Sequence, residues 1–459
     1  MGNIWSFVVH QITAIADLLS FAKNPRQALL TCRGKYGDVF LVDSALVGTK
    51  IAGLCGPEAL EQFQALLQDG TFVKKGGFPD SLTEVLGPIL TRLDGQMHDD
   101  RKAKLMEAFS ATQLDQYKPV VRRIVQVEHL RWVKLKSFSI VRETKRLLFK
   151  VLLTILYGLD DDDSHMEFIQ VLDDYVTAVQ QSLKAVDPRG PASRAKFIDQ
   201  LIAPAIQRAK RVDHTNSSVL GFLVQAGKMT DEELTQECFH VMFASFGGLS
   251  TLAANMVTAL AVFPPIRANM SAARATMMQD VATQEMRWMQ LGQLGYLNQF
   301  VLEVKRFYNA GPTQIYTRAT RNVQVKTSIA SIQVPKGALV MAGLEATSKH
   351  PNVWVDAETF NPDRFQGFNL EQNLFKFCPH SLGSTNHRRC AGEELSTVIL
   401  DSILLSLMDF TWGMVPGQDY TLESNTITAV PLGQLMVQNF KACKSEAGRW
   451  PFDFEARTS

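Results

Sequence analysis

The segment between Thr230 and Pro264-Pro265 constrains this chain more than any other. Thr230 and Glu233 stand in the spacing of a capping box, and the proline pair supplies a stop. Residues 231–263 between them number 33, or about 50 Å of helix at 1.5 Å per residue. A helix that long crosses the whole body of a domain. Its middle reads Phe246-Gly247-Gly248-Leu249-Ser250-Thr251. Two mid-helix glycines cost roughly 1 kcal/mol each relative to alanine. Either neighbouring helices approach closely there, or the helix opens locally and lets a flat ligand or dioxygen sit against its backbone.

The rest of the chain can bury such a helix. Of 459 residues, 46% are hydrophobic and 20% charged, which excludes a disordered chain. A formal charge of +1 removes the electrostatic case for non-specific nucleic-acid binding. The six cysteines form no Cys-x-x-Cys pair, so a disulfide framework or zinc ribbon is not expected, and a reducing compartment is the simpler reading. Residues 38–42 and 49–54 read as strands, and a helix should start at Pro57. Helical periods dominate residues 98–310, alternation returns over 322–343, and residues 391–409 read as a helix. Asp160 to Asp163 read as a solvated acidic loop. The expected class is mainly α with small β-sheets, in one integrated domain over residues 24–459 preceded by an N-terminal helix over 1–23.

That first helix is amphipathic by period. Ile4, Val8, Ile12, Ile15 and Leu19 share one face, and Ser6, His10, Thr13 and Asp17 the other. Packing of the apolar face on the body is one reading. Peripheral membrane contact through residues 4–21 is the other. Gly2 with Ser6 also fits a short myristoylation pattern. No transmembrane run or secretory signal is seen, so the expected location is cytoplasmic or peripherally membrane-associated.

Chemistry gathers around Cys390, in Asn386-His387-Arg388-Arg389-Cys390-Ala391-Gly392-Glu393, just before a helix. Helix dipole and arginines favour a thiolate, the ligand a soft metal centre takes. Alone, such a cysteine is also compatible with a structural role. Glu303 and Arg306 share a helix face at i, i+3, and Phe360-Asn361-Pro362-Asp363-Arg364-Phe365 lies between them and the cysteine. With the glycine-bearing helix upstream, these motifs resemble the cytochrome P450 family over essentially the whole chain.

The resemblance implies that fold and a haem b (iron protoporphyrin IX) cofactor with Cys390 as iron ligand. Glu303, Arg306 and Arg364 would lock the core. His98, Arg101, Lys102, Arg318 and Arg388 would meet the haem propionates, with Gly247 and Gly248 against the distal face. Thr251 and Ser250 would serve as proton relays. Phe243, Phe246 and Leu249 are candidates for an apolar pocket.

Three sub-patterns are each incomplete. The cysteine loop and the segment from Asp94 to Lys102 look most like the fatty-acid peroxygenase branch. Its Arg-Pro pair in the long helix is Phe246-Gly247 here. The monooxygenase acid-Thr pair is Ser250-Thr251. The hydroperoxide-isomerising and -dehydrating branch has an Asn where this chain has Ala244, before Ser245-Phe246-Gly247-Gly248. The first expectation is therefore a haem-thiolate monooxygenase acting on an apolar small molecule such as a lipid or secondary metabolite. It would take electrons from a separate reductase, or hydrogen peroxide in their place. Alternatives are a peroxygenase or hydroperoxide isomerase, a haem-binding pseudo-enzyme, and a module stabilised by zinc through Cys378, His380, His387 and Cys390.

Overall fold

A computed structural model describes residues 2–46, 48–181, 185–211, 218–279, 295–309, 314–385, 387–422 and 431–443. Asn386 and the chain after Cys443 lie outside the described residues, as do the side chains of Ile4, Ser6, Val8 and His10.

The chain opens with α1 (Gly2–Lys23) and α2 (Pro25–Tyr36), then β1 (Val39–Asp43), β2 (Lys50–Cys55), α3 (Pro57–Gln68), β3 (Phe72–Val73) and α4 (Asp80–Leu86). Next come α5 (Gly95–Glu107), α6 (Ala111–Val133), β4 (Ser137–Ser139), α7 (Ile140–Tyr157), α8 (Phe168–Gln181) and α9 (Arg189–Phe197). Helices α10 (Ala203–Arg211), α11 (Val219–Ala226), α12 (Asp231–Val262), α13 (Pro264–Gln279) and α14 (Gly295–Tyr308) complete the helical stretch. Strands β5 (Gln314–Ala319), β6 (Val323–Lys326), β7 (Ser331–Val334) and β8 (Leu339–Gly343) follow, then α15 (Leu344–Ser348), α16 (Glu393–Leu407), β9 (Phe410–Met414) and β10 (Met436–Ala442). Among the described residues, helices with three small sheets make this a mainly α fold with minor β structure.

The two first strands and the long helix lie within a residue of where the periodicity puts them. Thr230 accepts from the Glu233 amide and Glu233 reaches back to the Thr230 amide, closing the capping box that starts α12. Nearly the whole C-terminal half of α12 is buried, because α7, α14 and α16 pack around it in one continuous apolar core. Among the described residues α12 is the one helix long and apolar enough to cross a membrane, and most of it is buried inside the protein.

The largest sheet runs in the order β1-β2-β8-β5-β3. Its β2–β8 pair is parallel (Ile51 opposite Leu339), and the other pairs are antiparallel. This pairing joins the first strands of the chain to residues 339–343 and sets Val73 opposite Arg318. The loop after β3 is thereby fixed beside the start of α5. The acidic run is not purely solvated: Asp161 pairs with Arg123 at 2.9 Å, and Asp163 with Lys150 at 2.9 Å.

Candidate functional site

Cys390 sits in the loop before α16. Its backbone amide donates to the His380 carbonyl at 2.8 Å, which fixes the loop. The Gly392 amide donates to the Cys390 sulfur. The thiol is surface-accessible yet set deep among protein atoms, and this burial pushes its pKa up from the ordinary value. The Gly392 amide and the field of Lys102 partly oppose that rise. The two arginines of the motif spend their hydrogen bonds elsewhere, and Arg389 reaches the sulfur through its field alone. Arg389 is taken by the Glu393 carboxylate (Nη2 to Oε1 2.6 Å). Arg388 donates to the Leu93 carbonyl at 2.8 Å and to Asp94 at 3.2 Å.

Around this loop the structure gathers more basic side chains than carboxylates. Lys102, 2% exposed, donates to the Arg389 carbonyl, and burial pushes its pKa down to about 8. His98 is one helical turn earlier on α5 and 3% exposed. Burial, then Arg388, push its pKa down to about 4, so it is neutral at pH 7, with Nδ1 2.8 Å from Asp99. Arg388 is held below its usual range by burial. A fourth member was not foreseen. Lys74, in the loop after β3, is pushed down to about 7 by burial and by Arg388. The sequence signal for it was indirect. The Asp94 carboxylate, at the head of α5, accepts the amides of Lys74 and Lys75 at 2.9 Å each and so folds this loop onto the site.

Two expected cations are elsewhere. Arg101 follows His98 by three residues but is a turn of about 100° from Lys102. Its guanidinium goes to Glu237 at 3.0 Å and Glu233 at 3.3 Å on α12. Arg318 is exposed, and it donates to the carbonyls of Gly76 (2.6 Å) and Gly337 (2.7 Å). It braces the loop that carries Lys74 instead of joining the cluster.

The glycine pair does not open α12, which is continuous from Asp231 to Val262. One stripe of its middle is nevertheless uncovered. Ala244 is exposed and Gly247 and Gly248 are half-buried, while Phe246 and Leu249 beside them are buried. A methyl group on Gly247 would meet no neighbouring atom within 4 Å. Thr251 shares this stripe, is 7% exposed, and makes no side-chain hydrogen bond among the described residues. Ser250 does not share it. Its hydroxyl donates back to the Phe246 carbonyl at 2.6 Å, which turns its proton toward the helix backbone. Phe246 meets Phe149 edge-on at 6.3 Å and, with Leu249, belongs to the core. Phe243 is half-buried against Leu82, Leu86 and Ile89.

Glu303, Arg306 and Arg364 come together in the interior. Arg306 donates to Glu303 through Nε (2.7 Å) and Nη2 (2.8 Å), and to the carbonyls of Ser348 and Ala357. Arg364 Nε reaches Glu303 at 3.2 Å, and the Asn361 amide donates to the same carboxylate at 2.8 Å. The zinc alternative finds no support in the geometry. Among the described residues no three His, Cys, Asp or Glu side chains converge, and burial pushes the Cys378 thiol up to about 12.

A model of the family described as "Cytochrome P450" matches residues 8–436. The chain belongs to the cytochrome P450 family. It is 25% identical over 401 residues to zebrafish (Danio rerio) cytochrome P450 26B1, covering 82% of this chain and 75% of that protein. It superposes on retinoic acid-bound cyanobacterial CYP120A1 with a TM-score of 0.76 at 20% identity, over 90% of this chain and 93% of that one. A single-residue variant of cytochrome P450 OleT in complex with arachidonic acid gives a TM-score of 0.76 at 18% identity, over 94% and 97% of the two chains. Structures of cytochromes P450 CYP152B1 and CYP152N1 share the fold as well, at TM-scores of 0.73 and 0.71 and 19% identity.

The residues present fit a haem. A cysteine sulfur with an amide on it, a cluster of Lys74, Lys102 and Arg388 with neutral His98, and a glycine-bearing stripe match the needs of one flat dianionic ligand.

Proposed function

We propose that this P450 is a haem b monooxygenase that oxidises the uncharged end of an elongated apolar molecule, supplied with electrons by a separate reductase. The carrying observation is that α12 and its C-terminal cap have no ionisable side chain from Val241 to Phe263, across the whole uncovered stripe. A substrate carboxylate held beside the haem would need a cation there. That weighs against peroxygenase chemistry at the carbon next to a carboxylate. The ligands named for three similar structures, retinoic, arachidonic and myristic acids, are all elongated apolar acids. They support the shape of the substrate, with any acid group facing away from the stripe.

When bound, the haem supplies one-electron and dioxygen chemistry under thiolate ligation. The chain's own part is to hold it and control its surroundings. Cys390 would ligate the iron, with the Gly392 amide fixing the sulfur. Lys74, Lys102 and Arg388 would take the two propionates, with His98 donating as a neutral group. Thr251, the protic side chain of the stripe, would hold a proton-carrying water, while Phe243 and its apolar neighbours exclude bulk water.

The test is turnover of purified holoprotein with myristic, arachidonic and retinoic acids, in parallel with reductase plus NADPH and with hydrogen peroxide. Reductase-driven oxidation remote from the carboxylate is expected. Peroxide-driven oxidation next to the carboxylate would overturn the reading, as would a haem spectrum without turnover in either arm. Cys390→Ala should abolish the strongly red-shifted Soret band of the reduced carbon-monoxide form.

A further inference from the structure

Arg194 on α9 is a cation without an acid. The other basic side chains around the front half of α12 are committed: Arg101 and His240 to Glu237, Lys104 to Glu233 and Lys210 to Asp231. Arg194 makes no ion pair among the described residues. Its Nη2 donates to Gln236 Oε1 on α12. Its Nε is buried with no hydrogen-bond partner, a costly state for a charged donor. The guanidinium lies over the Phe239 ring, with Cζ 5.7 Å from the centroid. On another side it meets the turn that ends α4. Gly87 makes that turn at φ +70°, and a Cβ there would come within 2.9 Å of Arg194 Cζ. Gln236, Phe239 and Gly87 thus form a slot that holds the guanidinium in place and supplies no negative charge.

From this slot an apolar path leads to the uncovered stripe of α12. Phe239, under the guanidinium, meets Phe243 at 5.6 Å, and Phe243 packs against Leu82, Leu86 and Ile89. Gly247 follows one turn beyond Phe243. Gln236 lies eleven residues before Gly247, or about 17 Å along the helix at 1.5 Å per residue. We infer that Arg194 anchors the carboxylate of an elongated acid substrate, whose apolar chain runs past Phe243 and brings its far end to the glycine-bearing stripe. This rests on the reading that the substrate is elongated and oxidised at its uncharged end. A guanidinium suits the task because its parallel N–H groups match a carboxylate. At Arg101 or His240 a second carboxylate would meet the charge of Glu237. Along the phenylalanine path it would be buried unpaired.

The experiment is a spectral titration of holoprotein, read at the Soret band without reductant or peroxide, with myristic acid and with methyl myristate. Wild type binds the acid more tightly than the ester. Arg194→Gln weakens acid binding roughly tenfold to a hundredfold and leaves ester binding and the haem spectrum unchanged. Gln236→Glu does the same with Arg194 in place, because it gives the guanidinium an acid of its own. Wild type that binds acid and ester equally overturns the inference, whatever the variants do. So does either variant if it keeps the full preference for the acid, or if it loses acid and ester alike, which is the mark of packing. Since no oxidant enters, this result is separate from the turnover assay. Turnover with no Arg194-dependent preference would sink the anchor and spare the monooxygenase. The preference without turnover would uphold the anchor and overturn the monooxygenase.

Discussion

Two groups of buried cations in this P450 are wired in opposite ways. Around Glu303, every charge is answered. Arg306 and Arg364 share one carboxylate, and their remaining donors go to carbonyls of Ser348, Ala357, Val355 and Thr359. Around Arg388, charges outnumber answers. Lys74, Lys102, His98 and Arg388 face one another with Asp94 and Asp99 as the opposing carboxylates, and Lys74, His98 and Lys102 are each pushed down in part by Arg388. A balanced ionic group spends its energy on geometry. An unbalanced one keeps a standing preference for an anion, which is what a haem brings twice over.

The largest effect should come from unbalancing the balanced group. Arg306→Ala leaves Glu303, 0% exposed, with Arg364 at 3.2 Å and strips the carbonyls of Ser348 and Ala357. Breaking a buried pair in this way costs about 3–5 kcal/mol, a large part of the roughly 5–15 kcal/mol that typically holds a domain. Little soluble holoprotein and a strongly lowered melting temperature are expected. A near-normal melting temperature would show that the group is not the structural one of the two.

Arg388→Ala should do the reverse. Removing one cation from among others leaves the haem-free protein about as stable, since the loss of bonds to Leu93 and Asp94 is offset by relief of Lys74, His98 and Lys102. Hemin affinity should fall roughly tenfold to a hundredfold, the worth of one charged hydrogen bond. Hemin titration and thermal denaturation of the haem-free protein separate the two readouts. Unchanged affinity with lost stability would merge the two groups into one class.

The same imbalance makes stability depend on pH. Lys74 titrates near 7 in the folded protein, against 10.5 for an ordinary lysine. Below pH 7 both folded and unfolded chains carry the proton, and the full penalty of burying the charge is present. Between 7 and 10.5 the unfolded chain binds more protons, so stability of the haem-free protein rises with pH, and above that window the effect is complete. Lys74→Met should flatten this rise in denaturant melts taken across the window. A slope that survives the substitution would remove Lys74 from the cluster.

What was legible in the sequence was local. The capping box of α12, the i, i+3 pair of Glu303 and Arg306, and the first two strands depend on neighbours a few residues away. The parts that were missed depend on distant partners. Nothing near Lys74 marks it as a site residue until Asp94 gathers its loop. The period of α1 left open whether its stripe packs inward, and partners of Asp17 and Gln11 as far away as Ala45 decide which residues it buries. Ser250 looked like a relay, but a helix offers its hydroxyl a carbonyl one turn back. Family motifs located Cys390, yet the arginines beside it turned out to serve Asp94 and Glu393.

Arg101 gives the smallest and sharpest test. By sequence it belongs with His98 and Lys102; by geometry it belongs to the balanced kind, tied to Glu237 and Glu233. Arg101→Ala leaves each acid a second partner, His240 for Glu237 and Lys104 for Glu233. The expected loss is therefore about 1–2 kcal/mol of stability, with hemin affinity unchanged. Glu237→Gln should cost less in the Arg101→Ala background than in wild type, because the two side chains interact directly. If hemin affinity instead fell tenfold with no coupling to Glu237, the guanidinium would be acting on the haem. The division between answered and unanswered cations would then fail at the residue where sequence and geometry disagree most.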